Sequence, residues 1–311
     1  MREPLVAWLV ERLAWRGVEP ASVAVERIGV GHSRAMFRVD AGAGRRVVVR
    51  VEQGGVFGTS SAEECRVMRS LAAVGFPVAP IVAEEPTGSV IGQPFFVMAF
   101  VDGAAVDDER AIDRPTAAAF VDMLHALHAL DGADFGFELV PASPGEATPA
   151  QIERWRGVYR RSTSEPIPLL EEAAAWLHHR APPLDRVAVV HGDAGPGNFV
   201  HDGGRVVAMT DFEFTHLGDP AEDWSFCVAM RGARTMPRAD WLALFRERAG
   251  VELDDEQWRY WEAFNLFKGA CANRTCLDLF ERGVNRAPNM AIIGTTLHQV
   301  FLRRLVDIVH G

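Results

Sequence analysis

Lysine is almost absent from this chain. Of its 32 basic residues only Lys268 is a lysine, and it precedes Gly269-Ala270, so no GxxxxGK[ST] phosphate loop exists. A Walker-type ATPase is thereby excluded. Cysteine is scarce too: Cys65, Cys227, Cys271 and Cys276 form no CxxC pair, which fits reduced thiols in a cytoplasmic chain. Long apolar runs are missing, since no stretch approaches the roughly 20 uninterrupted apolar residues that span a bilayer. The segment Met1 to Trp15 is interrupted by Arg2, Glu3, Glu11 and Arg12, unlike a signal peptide. No membrane partner is expected. Positive charge is outnumbered, 32 Lys+Arg against 42 Asp+Glu for a net −10, the wrong sign for holding nucleic acid through its phosphates. Repeats and low-complexity tracts are also lacking, which excludes solenoids and propellers. What remains is an ordinary globular composition, 48% apolar and 24% charged over 311 residues, enough for one large domain or two modest ones.

The first third alternates short β-like runs with tight turns. Val23 to Ile28 leads into Gly29-Val30-Gly31-His32-Ser33, then Ala35 to Asp40, a Gly42 to Gly44 turn and the branched run Val47 to Val51. Ala62 to Ala73 carries Cys65, Met68, Leu71 and Ala72 at helical spacing, with Gly75 at its stop. Two further strands are predicted near Pro80 to Glu84 and Phe95 to Val101. Beyond Asp102-Gly103 the pattern turns helical. The spacing predicts a helix over Thr116 to Leu130, a loop over 138–150 rich in Pro and Gly, and a helix over Gln151 to Arg161. The expectation is an α+β chain in two lobes: a small antiparallel sheet with one helix over residues 1–101, and a larger, mainly helical lobe over 102–311.

Chemistry concentrates between Val187 and Ser225. A buried-strand run, Val187 to Val190, is followed by His191-Gly192-Asp193 and the loop Ala194-Gly195-Pro196-Gly197. Asn198 comes five positions after Asp193, and a hairpin then returns the chain to Asp211. With its turn centred near 202–203, antiparallel register places Asp211 opposite about residue 194, beside Asp193 and Asn198. Two carboxylates and an amide oxygen on a Gly-lined loop suit phosphoryl transfer. Mg²⁺ takes hard oxygen ligands such as Asp211 and Asn198, and Asp193 is then free to accept a proton from an attacking hydroxyl.

HGDAGPGN, then DFE, then LGDPAED resemble the aminoglycoside phosphotransferase and choline kinase group of small-molecule kinases, which share the protein-kinase-like fold. More narrowly, DFEFTHLGDPAEDWSF, FFVMAFVDG and EECRVMRSLAAVGFPVAPIV resemble the kinase-like domains joined to some acyl-CoA dehydrogenases. The resemblance implies Asp193 as catalytic base and Asn198 and Asp211 as metal ligands. It implies a cover of Gly29, Gly31 and Ser33 over the phosphates of ATP or GTP, and Met98 with the backbone of Ala99 and Val101 around the base. The family's phosphate-contacting lysine is replaced by Arg50, whose guanidinium can bridge phosphate and Glu64, with Glu63 as the other candidate partner. The implied reaction moves the γ-phosphoryl group to a hydroxyl of a small molecule. A nucleotide-binding regulatory module without transfer is the alternative that the missing lysine suggests.

Blander roles are assigned to several residues. His191 is expected to hold the loop through backbone hydrogen bonds, and His125 and His128 to pack. A zinc site from His191, Asp193, His201 and Asp211 is opposed by the place of His201 in the predicted turn. Asp219, before Pro220, reads as a helix cap, and Asp223 as an anchor beneath the loop. Only eight steps separate Asp211 from Asp219, too few for a peptide-ordering activation segment, which favours small-molecule acceptors over proteins. Ammonium-rich aminoglycosides would need several carboxylates in the rear lobe. Its tryptophans fit the apolar slot that a macrolide or hydroxyacyl thioester would prefer.

Overall fold

The computed structural model describes residues 1–28, 34–106 and 110–311. The front lobe is a five-stranded antiparallel sheet of order β1-β2-β3-β5-β4. Its strands are β1 (Ala24–Arg27), β2 (Arg34–Asp40), β3 (Arg46–Glu52), β4 (Ile81–Glu85) and β5 (Phe95–Ala99). The central strand β3 is buried on both faces, which explains its run of branched residues. One face, with Val47, Val49 and Val51, packs on Leu5, Val6 and Leu9 of α1 (Arg2–Arg12). The other, with Val48, Phe96 and Met98, packs on Cys65, Met68 and Leu71 of α2 (Ser61–Ala73). Ser60 caps α2 by accepting the Glu63 N–H at 3.2 Å.

The chain crosses to the rear lobe at residues 100–103, where Arg46 makes a two-pronged ion pair with Asp102, both contacts 2.8 Å. A side chain at Gly103 would lie 2.8 Å from the His201 carbonyl, so glycine is needed for β6 (Ala104–Ala105) to pair with β8 (Phe199–Asp202). The rear lobe holds α3 (Arg114–His128), α4 (Pro144–Arg160), α5 (Pro168–Arg180), β7 (Ala188–Val190), β9 (Arg205–Met209), β10 (His216–Gly218), α6 (Ala221–Phe226) and α7 (Arg238–Ala249). It ends with α8 (Asp255–Glu281), α9 (Pro288–Ile292) and α10 (His298–His310). The 27-residue α8, started by an Asp254/Gln257 capping box, is its spine. Its Trp261, Phe264 and Phe267 pack with Trp155, Tyr159 and Leu177 of α4 and α5. Among the described residues no helix is long and apolar enough to cross a membrane.

Two expectations need correction. The stretch expected as a loop over 138–150 is helical from Pro144, because Pro144 suits the first helical position and Pro149 forfeits only its bond to the Gly145 carbonyl. Burial of Ala147, Thr148 and Ile152 holds that turn in place. His201 lies in β8, not in the turn, which is Gly203-Gly204, both at positive φ.

The link between β3 and α2 crosses to the rear lobe. Val56 is buried with Cys276, Leu279, Met290 and Ile293, and the Phe57 N–H donates to Thr275 Oγ1 at 2.9 Å. Phe57 itself sits at φ +62, in the left-handed region that a bulky residue adopts only under constraint.

Candidate active site

Strand β7 ends at Val190 and delivers residues 191–198 as a loop held from below. Asp223 of α6, fully buried, accepts the His191 N–H at 2.7 Å and the Gly192 N–H at 2.8 Å. His128 Nε2 lies 2.8 Å from the same carboxylate. Burial alone would raise the pKa of Asp223, but the His128 contact and the His191 N–H outweigh it and hold the group below the usual carboxylate range. The Lys268 ammonium, 2% exposed, donates to the Gly192 carbonyl and to Glu222, each at 2.6 Å. Glu222 is likewise held low: burial is overcome by Lys268 and His216. A side chain at Gly192 would come within 2.5 Å of the Phe214 carbonyl. His191 has the backbone role expected of it, receiving the Asp193 N–H on Nδ1 (3.2 Å) and meeting the Thr210 carbonyl through Nε2 (2.9 Å). Asp219 receives the Ala221 N–H at the start of α6, at 2.8 Å.

Asn198 Nδ2 donates to both the carbonyl and Oδ2 of Asp193, each at 2.8 Å. Because both partners are acceptors, the amide oxygen is the end turned elsewhere. The register differs from that expected. A shift between Val200 and His201 and the later turn bring Asp211 back beside Asn198, the Thr210 N–H donating to the Asn198 carbonyl at 3.0 Å. Asp211 occupies φ +67, ψ +60, a left-handed conformation that turns its carboxylate toward the front lobe.

There it meets Arg50. The Arg50 guanidinium forks between Asp211 Oδ1 at 2.8 Å and Glu64 Oε1 at 3.1 Å, three charged groups from two lobes. Burial opposes the charge on Arg50, but Glu64 and Asp211 raise its pKa further. Burial likewise works against ionised Asp211, yet Arg50 holds it below its ordinary range, while burial raises Glu64 despite Arg50. Glu63 faces away, receiving the Glu138 N–H at 3.1 Å and Arg154 at 3.5 Å. Lysine in place of Arg50 keeps the charge but loses the fork. Arg50→Lys should therefore loosen the junction between Asp211 and Glu64, which a lowered melting temperature would read.

Gly29, Gly31 and Ser33 lie outside the described residues. Met98 is buried at the end of β5. The Ala99 N–H is committed to the Pro80 carbonyl at 2.9 Å. Among the described residues no cluster of three or more His, Cys, Asp or Glu side chains forms a metal site, and His201 is at the far end of the hairpin from Asp211.

Three residues escaped sequence reasoning. Arg34, 1% exposed, lies 3.8 Å from both Glu64 and Glu213 and reaches Thr59 Oγ1 at 3.2 Å. Burial and the neighbouring Asp211 push the Glu213 carboxyl up to about 8. Arg231 grips Asp193, its Nε on Oδ1 at 2.9 Å and its Nη2 on Oδ2. The one hint of Glu213 in the sequence is its place in DFE. Arg231, 38 positions from Asp193, is signalled by no motif.

Known proteins share this chain's sequence pattern and its fold. Acyl-CoA dehydrogenase family member 11 of Rattus norvegicus is 24% identical over 322 residues, covering 94% of this chain and 41% of that protein. The chain spans less than half the length of the curated relatives it matches. A thermostable mutant of aminoglycoside phosphotransferase APH(4)-Ia, solved with ADP and hygromycin B, superposes with a TM-score of 0.64 at 16% identity over 99% of both chains. Plasmodium vivax ethanolamine kinase gives a TM-score of 0.66 at 11% identity, over 96% of this chain and 86% of its own. The front sheet, with α1 on one face and α2 on the other where one helix was expected, and the helical rear lobe are thus a protein-kinase-like fold. The model of the phosphotransferase enzyme family matches residues 24–267, the stretch that contains Arg50, Glu64, Asp193, Asn198, Asp211 and Arg231, and the chain belongs to that family.

Proposed function

We propose that the protein is an ATP- and Mg²⁺-dependent kinase that phosphorylates a hydroxyl of a small molecule, with residues 1–101 binding nucleotide and 102–311 carrying catalysis and the acceptor. The observation that carries this reading is the convergence of Asp193, Asn198, Asp211, Arg50 and Glu64 from both lobes. The donor set fits a hard cation. Asn198 has its amide nitrogen fixed on Asp193, leaving Oδ1 for a metal, and Asp211 offers the carboxylate oxygen that Arg50 does not take. Bound there, Mg²⁺ would neutralise the charge of the phosphate oxygens.

The chain's own groups divide the remaining work. Arg50, steadied by Glu64, holds the α and β phosphates, and Gly29, Gly31 and Ser33 cover them. Met98, Ala99 and Val101 border the base. Asp193 takes the proton of the acceptor hydroxyl as its oxygen bonds to the γ-phosphorus and the bond to the β-phosphate oxygen breaks, releasing ADP. Phe214 packs over Gly192 with Phe57 at 5.7 Å, both half-buried, above the buried Trp155. That aromatic pair and the cation of Arg231 favour an acceptor with an apolar portion over a polyammonium sugar.

ATP with Mg²⁺ should raise the melting temperature, by the equivalent of about 2.7 kcal/mol at a hundred times Kd, and ATP without metal much less. Parallel titration with GTP decides the donor. A mass-spectrometric screen of hydroxylated metabolites for one added phosphate identifies the acceptor. Arginine at the lysine position favours a second reading, a nucleotide-binding regulatory module, which stands if nucleotide binds and no extract or metabolite set is phosphorylated.

A further inference from the structure

We infer that Arg231 is a positioning residue for Asp193, and that Gly195 and the wide helical turn before Arg231 exist to bring it there. The inference rests on the kinase reading. Three independent features of the chain converge on it.

The first is the contact. Arg231 addresses the Asp193 carboxylate side-on, through Nε to Oδ1 and Nη2 to Oδ2. Asn198 Nδ2 takes Oδ2 as well. A carboxylate presents about four lone-pair sites, so these donors fill three and leave one, on Oδ1, to meet an acceptor hydroxyl. Asn198 alone would leave the carboxylate free to swing about its last torsion. A planar fork fixes it.

The second is the route. A Cβ at Gly195 would stand 2.7 Å from Arg231 Cβ and 3.4 Å from its Cδ, and Gly195 has φ +146. The arginine stem therefore lies across the loop at the one residue between Asp193 and Pro196 with no side chain. Gly195 is explained by a residue 36 positions later in the chain.

The third is helical phase. Asp223 and Arg231 are eight residues apart, which in an unbroken α-helix puts them about 80° apart around the axis. Residues Cys227–Arg231 instead form a π turn, which accommodates one extra residue. The offset falls to about 20°, so Arg231 rejoins the stripe of Asp223 about 10 Å further along. One helical segment thus grips the loop twice: Asp223 takes the His191 and Gly192 N–H groups, and Arg231 takes the Asp193 carboxylate. A wide turn is less stable than the α-helix it interrupts, and here it places a cation beside the reacting oxygen.

The test uses the full chain, Mg·ATP hydrolysis with water as acceptor, and calorimetric Mg·ADP affinity. Arg231→Gln should lower kcat about 10²-fold with KM for Mg·ATP and ADP affinity unchanged, since a misplaced base costs turnover and not binding. Arg231→Lys should recover part of the loss, and millimolar guanidinium should partly restore Arg231→Ala, which a purely structural role would not allow. Gly195→Ala should lower kcat without adding to Arg231→Gln in the double variant. If Gly195→Ala fails to fold, guanidinium rescue decides alone. Unchanged kcat in Arg231→Gln beside an active wild type overturns this inference only, as does a double variant whose losses multiply. A wild type that neither binds Mg·ADP nor hydrolyses ATP overturns the kinase reading and this inference with it.

Discussion

Asp193→Asn should reduce phosphoryl transfer by roughly 10²–10⁴ while Mg·ADP affinity holds. The amide is nearly isosteric, and its oxygen can still accept from Asn198 or Arg231, so the loop keeps its shape. What it loses is basicity: the acceptor proton has nowhere to go as the new P–O bond forms. Single-turnover quench with the acceptor found by metabolite screening separates this from slow product release. Near-normal turnover of the variant with that acceptor would remove Asp193 from the role of base.

Lys268→Met is expected to destabilise the protein by about 3–5 kcal/mol, because it strands the buried Glu222 carboxylate. His216, 3.2 Å away, compensates only when protonated. The pH dependence should change sign around this site. In the wild type the folded-state pKa of Glu222 lies below its ordinary value, so its stabilisation is present above the unfolded pKa and lost as pH falls through the folded one. Without Lys268, burial is the dominant influence and raises that pKa, so stability should instead decline as pH rises toward neutrality. Urea melts from about pH 4 to pH 8 distinguish the two slopes. A variant that melts like the wild type at both ends would show that Lys268 is not the partner that counts. The Gly192 carbonyl also loses its donor, so turnover should fall along with stability.

The sequence disclosed what depends on spacing. Asp193, Asn198 and Asp211 are linked by one hairpin, and branched runs between tight turns marked the strands around Arg50. Glu64 and Glu63 are neighbours, and only the phase of α2 decides which faces Arg50. The hairpin register was missed by a few positions because a turn of two glycines and a bulge cannot be located from composition. The start of α4 was hidden by Pro144, Gly145 and Pro149, whose local preferences yield to burial of one helical face. Arg34 looked like any strand arginine, since burial of its charge depends on Glu64 and Glu213, both distant in the chain. Arg231 was illegible for a related reason: its phase depends on a π turn that no residue pattern announces.

The strap between β3 and α2 bears on how the two halves can move. The halves are joined covalently at residues 100–103, and joined again where Val56 and Phe57 are seated on α8 and α9, on the segment between the Arg50 strand and the Glu64 helix. The same stretch is fastened to the rear lobe on either side of that seat, through Arg50 to Asp211 and through Glu63 to the Glu138 N–H and Arg154. Any displacement of the front lobe has to carry these residues along or break all three attachments.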